Sequence, residues 1–562
     1  MRKITALLLA LVMIVGLAAC GESGEETTPP ATEPGDALQQ QEDATQDLDE
    51  ISGNQGDEEK QYGGTFIVGI PADPAGFMGA VSTDTYDKYA WQPMAIGLLD
   101  YDAANNMEPV CSELAESYEF SDDYMHLTFH LREAYWSDGE PITSEDVKFT
   151  IEEFLLPYSS NMQNELVNLE SIECPDERTV TINLSQPNKA LIGFWHSFYC
   201  SVLPEHVWAD YAENYQDCPE FLNPTVVGGP FILSEYVSGD HITYVRNENY
   251  WNEEEPYVDT VILRIIPDQT TMGEALEAGE IDLAPSAAIS YDECDRLRDV
   301  DGITVYDIGK ELRTTVYYVG LNQQSEKLAD KEVRAALLEA VDQDDLITTV
   351  FNGYGQACYT PIPNNSAFNE IRIEPDEVYD YDPESAAARL DAAGYPADAN
   401  GNRDLTITIV CESNEKERML SESLRSYWAA IGVETEIVSL DRAAMVERVY
   451  TQRDYDVSFI DGGLSSDFAT CANRYCSSYT GNYCNPGNLN NPEIDELFKI
   501  VGAQDEETQK ATYAELQNLI ASEASFMWLQ NWAPYAVSDN VGGHPFRPDV
   551  QFDNWAGVWI KS

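Results

Sequence analysis

Trp136-Ser137-Asp138-Gly139-Glu140-Pro141-Ile142-Thr143-Ser144-Glu145-Asp146-Val147 carries a strand end, a turn and a helix start in one run. Asp138-Gly139 is a turn pair, because glycine reaches backbone conformations that other residues avoid. Thr143 is a helix N-cap, and Asp146 three residues on completes a variant of the capping box. Just upstream, Tyr124-Met125-His126-Leu127-Thr128-Phe129-His130-Leu131 alternates apolar and polar residues, which is the period of a strand. A strand therefore feeds a helix through a tight turn.

The same mixture continues outward. Thr65-Phe66-Ile67-Val68, Leu405 to Val410 and Val433 to Val438 read as strands. Asp330 to Val341 reads as a helix with Val333, Ala336, Leu337, Ala340 and Val341 on one face. Asp382-Pro383-Glu384 opens another, with a capping aspartate and proline at the first helical position, and Gly394 closes it. The class is α/β. From Tyr62 onward, about 500 residues of globular composition exceed a single core, so two or three domains are expected. No period of 20 to 50 residues recurs, which argues against a solenoid or propeller.

The N-terminus has a different character. Arg2 and Lys3 precede an apolar run from Ile4 to Val15, too short to span a bilayer comfortably but suited to a signal peptide. Leu17-Ala18-Ala19-Cys20 then resembles a bacterial lipobox, which implies a signal peptide over 1–19 and an acylated Cys20. Residues 20–61 combine that cysteine with an acidic spacer rich in Glu, Asp, Gln, Thr, Pro and Gly. Such a composition buries too little apolar area to offset the entropy of ordering. The expected location is extracytoplasmic, tethered by lipid to the outer face of a bacterial cytoplasmic membrane or held in the periplasm.

The formal net charge of −69 argues against nucleic acid as a partner, since phosphates would be repelled. It suits an envelope protein and attracts cations, although solubility explains most of it. Of eleven cysteines, Cys20 goes to lipid. Ten remain in an exported chain, and Cys471, Cys476 and Cys484 form the place where a disulfide is most expected.

Catalytic and metal motifs are missing from the sequence. His126 and His130 resemble a helical metal pair, but on a strand they stand about 13 Å apart, too far for one ion. No His-Glu-x-x-His, Gly-x-Ser-x-Gly or phosphate-cradling glycine loop occurs. The cysteine cluster lacks paired zinc spacing. With 100 acidic residues, paired carboxylates carry no catalytic information. The reading is a binding protein without cofactor or metal, not an enzyme; a secreted or surface hydrolase assembled from distant residues is the alternative.

Several segments together resemble the extracellular solute-binding proteins of family 5, the dipeptide- and oligopeptide-binding class of peptide and nickel importers. They are Leu114-Ala115-Glu116-Ser117-Tyr118, Leu127 to Arg132, the Trp136 to Val147 run, Gly228-Gly229-Pro230-Phe231 and Arg246-Asn247-Glu248-Asn249-Tyr250-Trp251. Ala278-Gly279-Glu280-Ile281-Asp282, Asp330 to Ala336 and Ala392-Ala393-Gly394-Tyr395 follow in the family's order. Glu248 replaces the family's usual proline.

The resemblance implies a type II periplasmic-binding-protein fold: two lobes with mixed sheets, and an extra domain on the first lobe. Carried onto this chain, the first lobe takes 62–100, 223–305 and 535–562, the extra domain 101–222 and the second lobe 306–534. The chain then crosses near Tyr306 to Glu311 and near Trp532 to Tyr535. The implied function is capture of a peptide or other small solute by a monomer. Closing lobes hold it for the permease and ATPase of an ABC importer.

The resemblance also implies a ligand site. Asp461-Gly462-Gly463-Leu464-Ser465-Ser466-Asp467 fits the small-residue turn that carries the family's amine-binding aspartate, matched here by Asp467. Leu464 stands where tryptophan is frequent, and the proline often found after the aspartate is absent. An aspartate that caps a helix or faces solvent is the plain alternative. Asp461 takes a position where oligopeptide binders can carry a basic residue, so a cationic ligand group is favoured. Sensing instead of import, or an oligosaccharide, metal chelate or polyamine-like cation in place of a peptide, stays open on the same fold.

Overall fold

The structure is a computed structural model that describes residues 60–82, 84–102, 108–286, 288–308, 315–363, 371–463, 468–479, 481–502, 504, 506–543 and 555–561. Cys20 and the signal peptide lie outside the described residues.

Thr65–Ile70 is rich in β-branched and apolar residues and enters the middle of a seven-stranded sheet. The strand order is Ile303–Ile308, Ala533–Ser538, Leu283–Ala284, Thr65–Ile70, Thr260–Ile265, His241–Arg246 and Phe231–Val237. Thr65–Ile70 runs parallel to Thr260–Ile265, with Phe66 opposite Val261 and Val68 opposite Leu263. Phe66, Val68, Val261 and Leu263 pack on Tyr244 and Trp555 on one face, while Ile67 meets Met272 and Ile281 on the other. A sheet covered on both faces needs strands that are apolar on both sides.

A six-stranded sheet follows the same logic, in the order Gly355–Cys358, Phe526–Asn531, Thr315–Leu321, Val457–Gly463, Thr406–Glu412 and Glu434–Leu440. All six residues of Phe526–Asn531 are buried. A separate four-stranded antiparallel sheet orders Ala115–Phe120, His126–Leu131, Thr179–Leu184 and Leu169–Asp176. There Leu127, Phe129 and Leu131 are buried while His126, Thr128 and His130 share the other face. His126 Nδ1 meets Asn183 Oδ1 at 2.7 Å, so the histidines decorate a strand as their alternation predicts.

The turn and caps form as their residues require. Gly139 sits at φ +93°, and its N–H donates to the Trp136 carbonyl at 2.9 Å. The Thr143 N–H donates to Asp146 Oδ2 at 2.8 Å, and Asp146 Oδ1 accepts the Glu205 N–H at 2.9 Å. One carboxylate thus fixes a helix start and a distant segment. Asp330 caps helix Lys331–Glu339, and Asp382 caps Pro383–Ala392.

The motif residues clamp units together. Asn247 Nδ2 donates to the Gly229 carbonyl at 2.8 Å, Asn249 Nδ2 to the Ser137 carbonyl at 2.9 Å, and the Arg132 guanidinium lies 3.8 Å over the Trp251 ring. Asp282 Oδ2 accepts the Ile67 N–H at 2.8 Å, which holds Leu283–Ala284 against Thr65–Ile70.

The disulfide expectation is corrected. Among the described residues, none of Cys471, Cys476 and Cys484 is joined in a disulfide. Cys471 and Cys476 instead fill an apolar cluster with Phe468, Tyr475 and Ile494, and burial pushes the Cys476 thiol pKa up. Among the described residues no helix is long and apolar enough to cross a membrane.

Candidate functional site

Strand direction decides which edges carry the site. In the seven-stranded sheet, Thr65–Ile70, Thr260–Ile265, Leu283–Ala284 and Ile303–Ile308 end at one edge, where Ala533–Ser538 begins opposite Ile308. In the six-stranded sheet, Val457–Gly463 and Phe526–Asn531 end beside Thr315, and Thr406–Glu412 runs the same way. The chain passes between sheets after Ile308 and again at Trp532, so both passages leave these edges. Each sheet therefore turns the carboxyl ends of most of its strands toward the connections, and open α/β sheets gather ligands outside those ends.

On the six-stranded side, Asp461 lies opposite Tyr317 in the strand register and is exposed. Gly463 ends the same strand, opposite Thr315. The intervening Gly462 lies under the Arg474 guanidinium, and a Cβ there would come within 2.6 Å of Arg474 Nη2. Leu464 and Asp467 lie outside the described residues.

Two further carboxyls accompany Asp461. Glu412 ends the neighbouring strand, and Glu417 stands in the first turn of helix Glu415–Ala430. Burial pushes the Glu417 pKa up to about 7, and the charges of Glu412 and Asp461 push the same way. Surrounding protein disfavours the Arg442 charge, but the Tyr483 hydroxyl and the carboxylates of Glu412 and Asp461 outweigh this and raise its pKa. Arg442 Nε donates to that hydroxyl at 2.9 Å. The wall is a mixed field of carboxylates with Arg442 and Arg474 among them.

On the seven-stranded side, the helix Thr85–Trp91 follows the loop leaving Ile70 and meets Phe198 and Ser201. Trp91 Nε1 donates to Ser201 Oγ at 2.8 Å, and Lys88 Nζ donates to the Phe198 carbonyl at 3.1 Å. The 3-10 turn Lys189–Phe194 also touches Phe468–Cys471 of the six-stranded side. Nearby, burial raises the Glu165 carboxyl to about 8, against the pull of Arg474. At the passages, Tyr354 stacks on Tyr291 with centroids 4.9 Å apart and donates its hydroxyl to Asp295.

The structure therefore brings Asp461 and Gly463 to one edge with Glu412, Glu417, Arg442 and Arg474, which sequence reading missed. Strand ends were the available signal: Glu412 closes the run that begins at Leu405. Among the described residues, no group of three or more His, Cys, Asp or Glu is arranged to hold a metal ion.

The family model for bacterial extracellular solute-binding proteins, family 5 (middle), matches residues 110–482. Heme-binding protein A of Haemophilus influenzae is 28% identical over 529 residues, covering 87% of this chain and 89% of its own. Oligopeptide-binding protein AppA of Bacillus subtilis is 25% identical over 528 residues, covering 89% and 92%. The solved structure of B. subtilis AppA with a nonapeptide has a TM-score of 0.75 at 22% identity, covering 90% of this chain and 100% of that one. NikZ of Campylobacter jejuni with Ni(L-His) has a TM-score of 0.69 at 21% identity, covering 85% and 94%. The fold is the α/β architecture of type II periplasmic-binding proteins.

Proposed function

Because the chain belongs to family 5 of the bacterial extracellular solute-binding proteins, we propose that it captures peptides between two closing lobes and delivers them to an ABC importer. One observation carries the proposal: both sheets turn most of their carboxyl strand ends toward the two passages, and carboxylates line one side. The lobes are the regions organised by the two large sheets, with residues 101–222 as the extra domain. Cys20 carries the lipid that tethers the protein outside the membrane, and Cys20→Ala should then release it from the membrane fraction or leave it unprocessed.

A peptide carrier must hold many side chains. Pairing the ligand backbone like an added strand meets that need, while water fills roomy side-chain pockets. The terminal ammonium then needs a carboxylate, because it offers three donors and no acceptor. Asp467 is the proposed partner, since it follows the Asp461 to Gly463 strand end. Calorimetry of wild type and Asp467→Asn with a free-amine peptide and its N-acetyl form tests this. Either change should cost roughly 2–5 kcal/mol, and the second should add little to the first. Equal affinity of Asp467→Asn and wild type for the free-amine peptide would remove Asp467 as the anchor.

A non-peptide solute is the second reading, favoured by the similarity to a relative named for heme binding. Native mass spectrometry of the purified globule separates the two by the mass of what it carries.

A further inference from the structure

Residues 187–202 of the extra domain touch both lobes, and the two attachments differ in kind. Toward the first lobe the attachment is a core. The Leu98 and Leu99 N–H groups donate to the Trp195 carbonyl at 2.8 and 3.0 Å, and the Val202 N–H donates to the Ile96 carbonyl at 2.9 Å. Between them, a Cβ on Gly97 would come within 2.4 Å of the Ser197 backbone nitrogen, so the two backbones are pressed together. Ile96, Leu98 and Leu99 share one buried cluster with Leu191, Trp195 and Val202. Parting them would expose that cluster to water.

Toward the second lobe the attachment is a seam. The Lys189 N–H donates to the Gly502 carbonyl at 3.4 Å, near the long limit for such a bond. Gly502 follows helix Pro492–Val501 at φ −66°, a conformation open to any residue, so the backbone does not require glycine there. What the glycine permits is close approach. A Cβ on it would stand 3.5 Å from the Pro187 carbonyl oxygen, 3.7 Å from Asn188 Cα and 3.9 Å from the Lys189 nitrogen. A methyl group fits at those distances, and a longer side chain runs into the 187–189 backbone. The turn Lys189–Phe194 also touches Phe468–Cys471. Yet Phe468, Cys471 and Val501 belong to a buried cluster that shares no residue with the one holding Leu191 and Trp195. The seam can therefore part without opening either core.

We propose that residues 187–194 form a clasp, carried by the first lobe, that seats on Gly502 when the lobes close and slows their reopening. The proposal rests on the two-lobe closure of the proposed function and gives the extra domain a part in it. A segment held to one lobe by a core and to the other by one long hydrogen bond separates at the second when the lobes rotate apart. Ligand affinity scales with the population of the closed state, so the clasp strengthens binding without touching the ligand.

A disulfide across the seam tests this without any ligand. In Asn188→Cys/Gly502→Cys the two residues are close enough to be linked, with the Cβ position of 502 lying 3.7 Å from Asn188 Cα. Small-angle scattering should give the oxidised variant a smaller radius of gyration than its reduced form, with wild type treated alike as the control for its own thiols. Failure of the link to form would show that the segments do not meet in solution and would overturn the clasp. Equal radii, with bound tri-alanine still shrinking wild type, overturn the clasp and leave closure standing. Equal radii, with a wild-type radius that bound tri-alanine does not change, overturn closure and the clasp with it. Stopped-flow release of tri-alanine supplies the second measurement. Gly502→Trp should release it about tenfold faster than wild type, the scale of one lost hydrogen bond with its packing. Gly502→Ala, whose methyl fits, should release it at the wild-type rate. The ligand-free melting temperature of Gly502→Trp should match wild type, because the seam is parted in the open state. A fall in that temperature with unchanged release would make Gly502 a scaffold residue and sink the proposal.

Discussion

The buried carboxyl of Glu417 accepts the backbone N–H of Glu412 at 2.6 Å, where strand Thr406–Glu412 gives way to its helix. An acceptor is needed there, but a charge is not. Glu412 and Asp461 crowd the same edge, and burial already pushes the Glu417 pKa to about 7 from 4.5.

A pH effect follows, and its sign is fixed by that upward shift. Between the two values the folded protein holds a proton that the unfolded chain has released. Stability from this group therefore falls as pH rises from about 4.5 to about 7. Glu417→Gln keeps an acceptor for the Glu412 N–H and removes the charge. Urea unfolding should show the variant more stable than wild type at pH 8, by up to about 3 kcal/mol. At pH 4 the advantage should vanish. A variant no more stable at pH 8 would contradict the placement of Glu417.

Arg334 tests the scaffold. Its guanidinium is 3% exposed and donates to the carbonyls of Leu328 at 2.8 Å, Ala329 at 3.1 Å and Glu523 at 2.7 Å. Arg334→Met removes the donors and strands those acceptors, at a cost of about 2–4 kcal/mol in urea unfolding. Ligand affinity of the folded variant should be unchanged, since Arg334 packs away from the strand ends.

Local signals in the sequence translated well. Asp138-Gly139, the Thr143–Asp146 cap and the Asp330 and Asp382 caps depend on neighbours a few residues away, so their chemistry is visible in a short window. The motifs that carry the family resemblance are largely clamps: Asn247, Asp282 and Arg334 bind backbone and hold units in register. They reveal the fold and say little about the ligand. The site depends on separations no window spans. Lys88 meets Phe198 across 110 residues, and Asp461 comes to lie opposite Tyr317 from a strand far along the chain. The cysteine cluster misled because closeness in sequence does not orient Cβ atoms for a disulfide.

Asp461 is expected to tune ligand charge without anchoring the ligand. It is exposed and shares its edge with Arg442, so solvent and a nearby cation both screen it. A screen of matched basic and acidic peptides should favour the basic ones. Asp461→Asn should shrink that preference by about threefold, the scale of an exposed ion pair. A wild-type preference for acidic peptides would refute this role.

Lobe closure is expected to turn about the two passages, and Tyr354 sits against one of them. The Trp532 N–H donates to the Tyr354 carbonyl at 3.2 Å, while the tyrosine ring stacks on Tyr291 with an interplanar angle of 12°. Asn352, in a left-handed conformation at φ 52°, donates to Asp292 at 3.1 Å and Asp295 at 3.2 Å. These contacts tie helix Tyr291–Leu297 to the strand Gly355–Cys358 beside the point where the chain changes sheets. Atoms next to a rotation axis move little, so the seam should persist in open and closed states alike. Ligand stabilises the closed state only through its higher affinity for that state. Small-angle scattering should therefore show a smaller radius of gyration under saturating peptide than without it. Tyr354→Ala should lower unfolding stability by about 3 kcal/mol through the lost ring and its hydrogen bonds. It should leave the ligand-driven decrease in radius in place. A radius that peptide does not change in wild type would count against closure itself. A decrease present in wild type and lost in Tyr354→Ala would show that the seam is a closing surface and not the pivot.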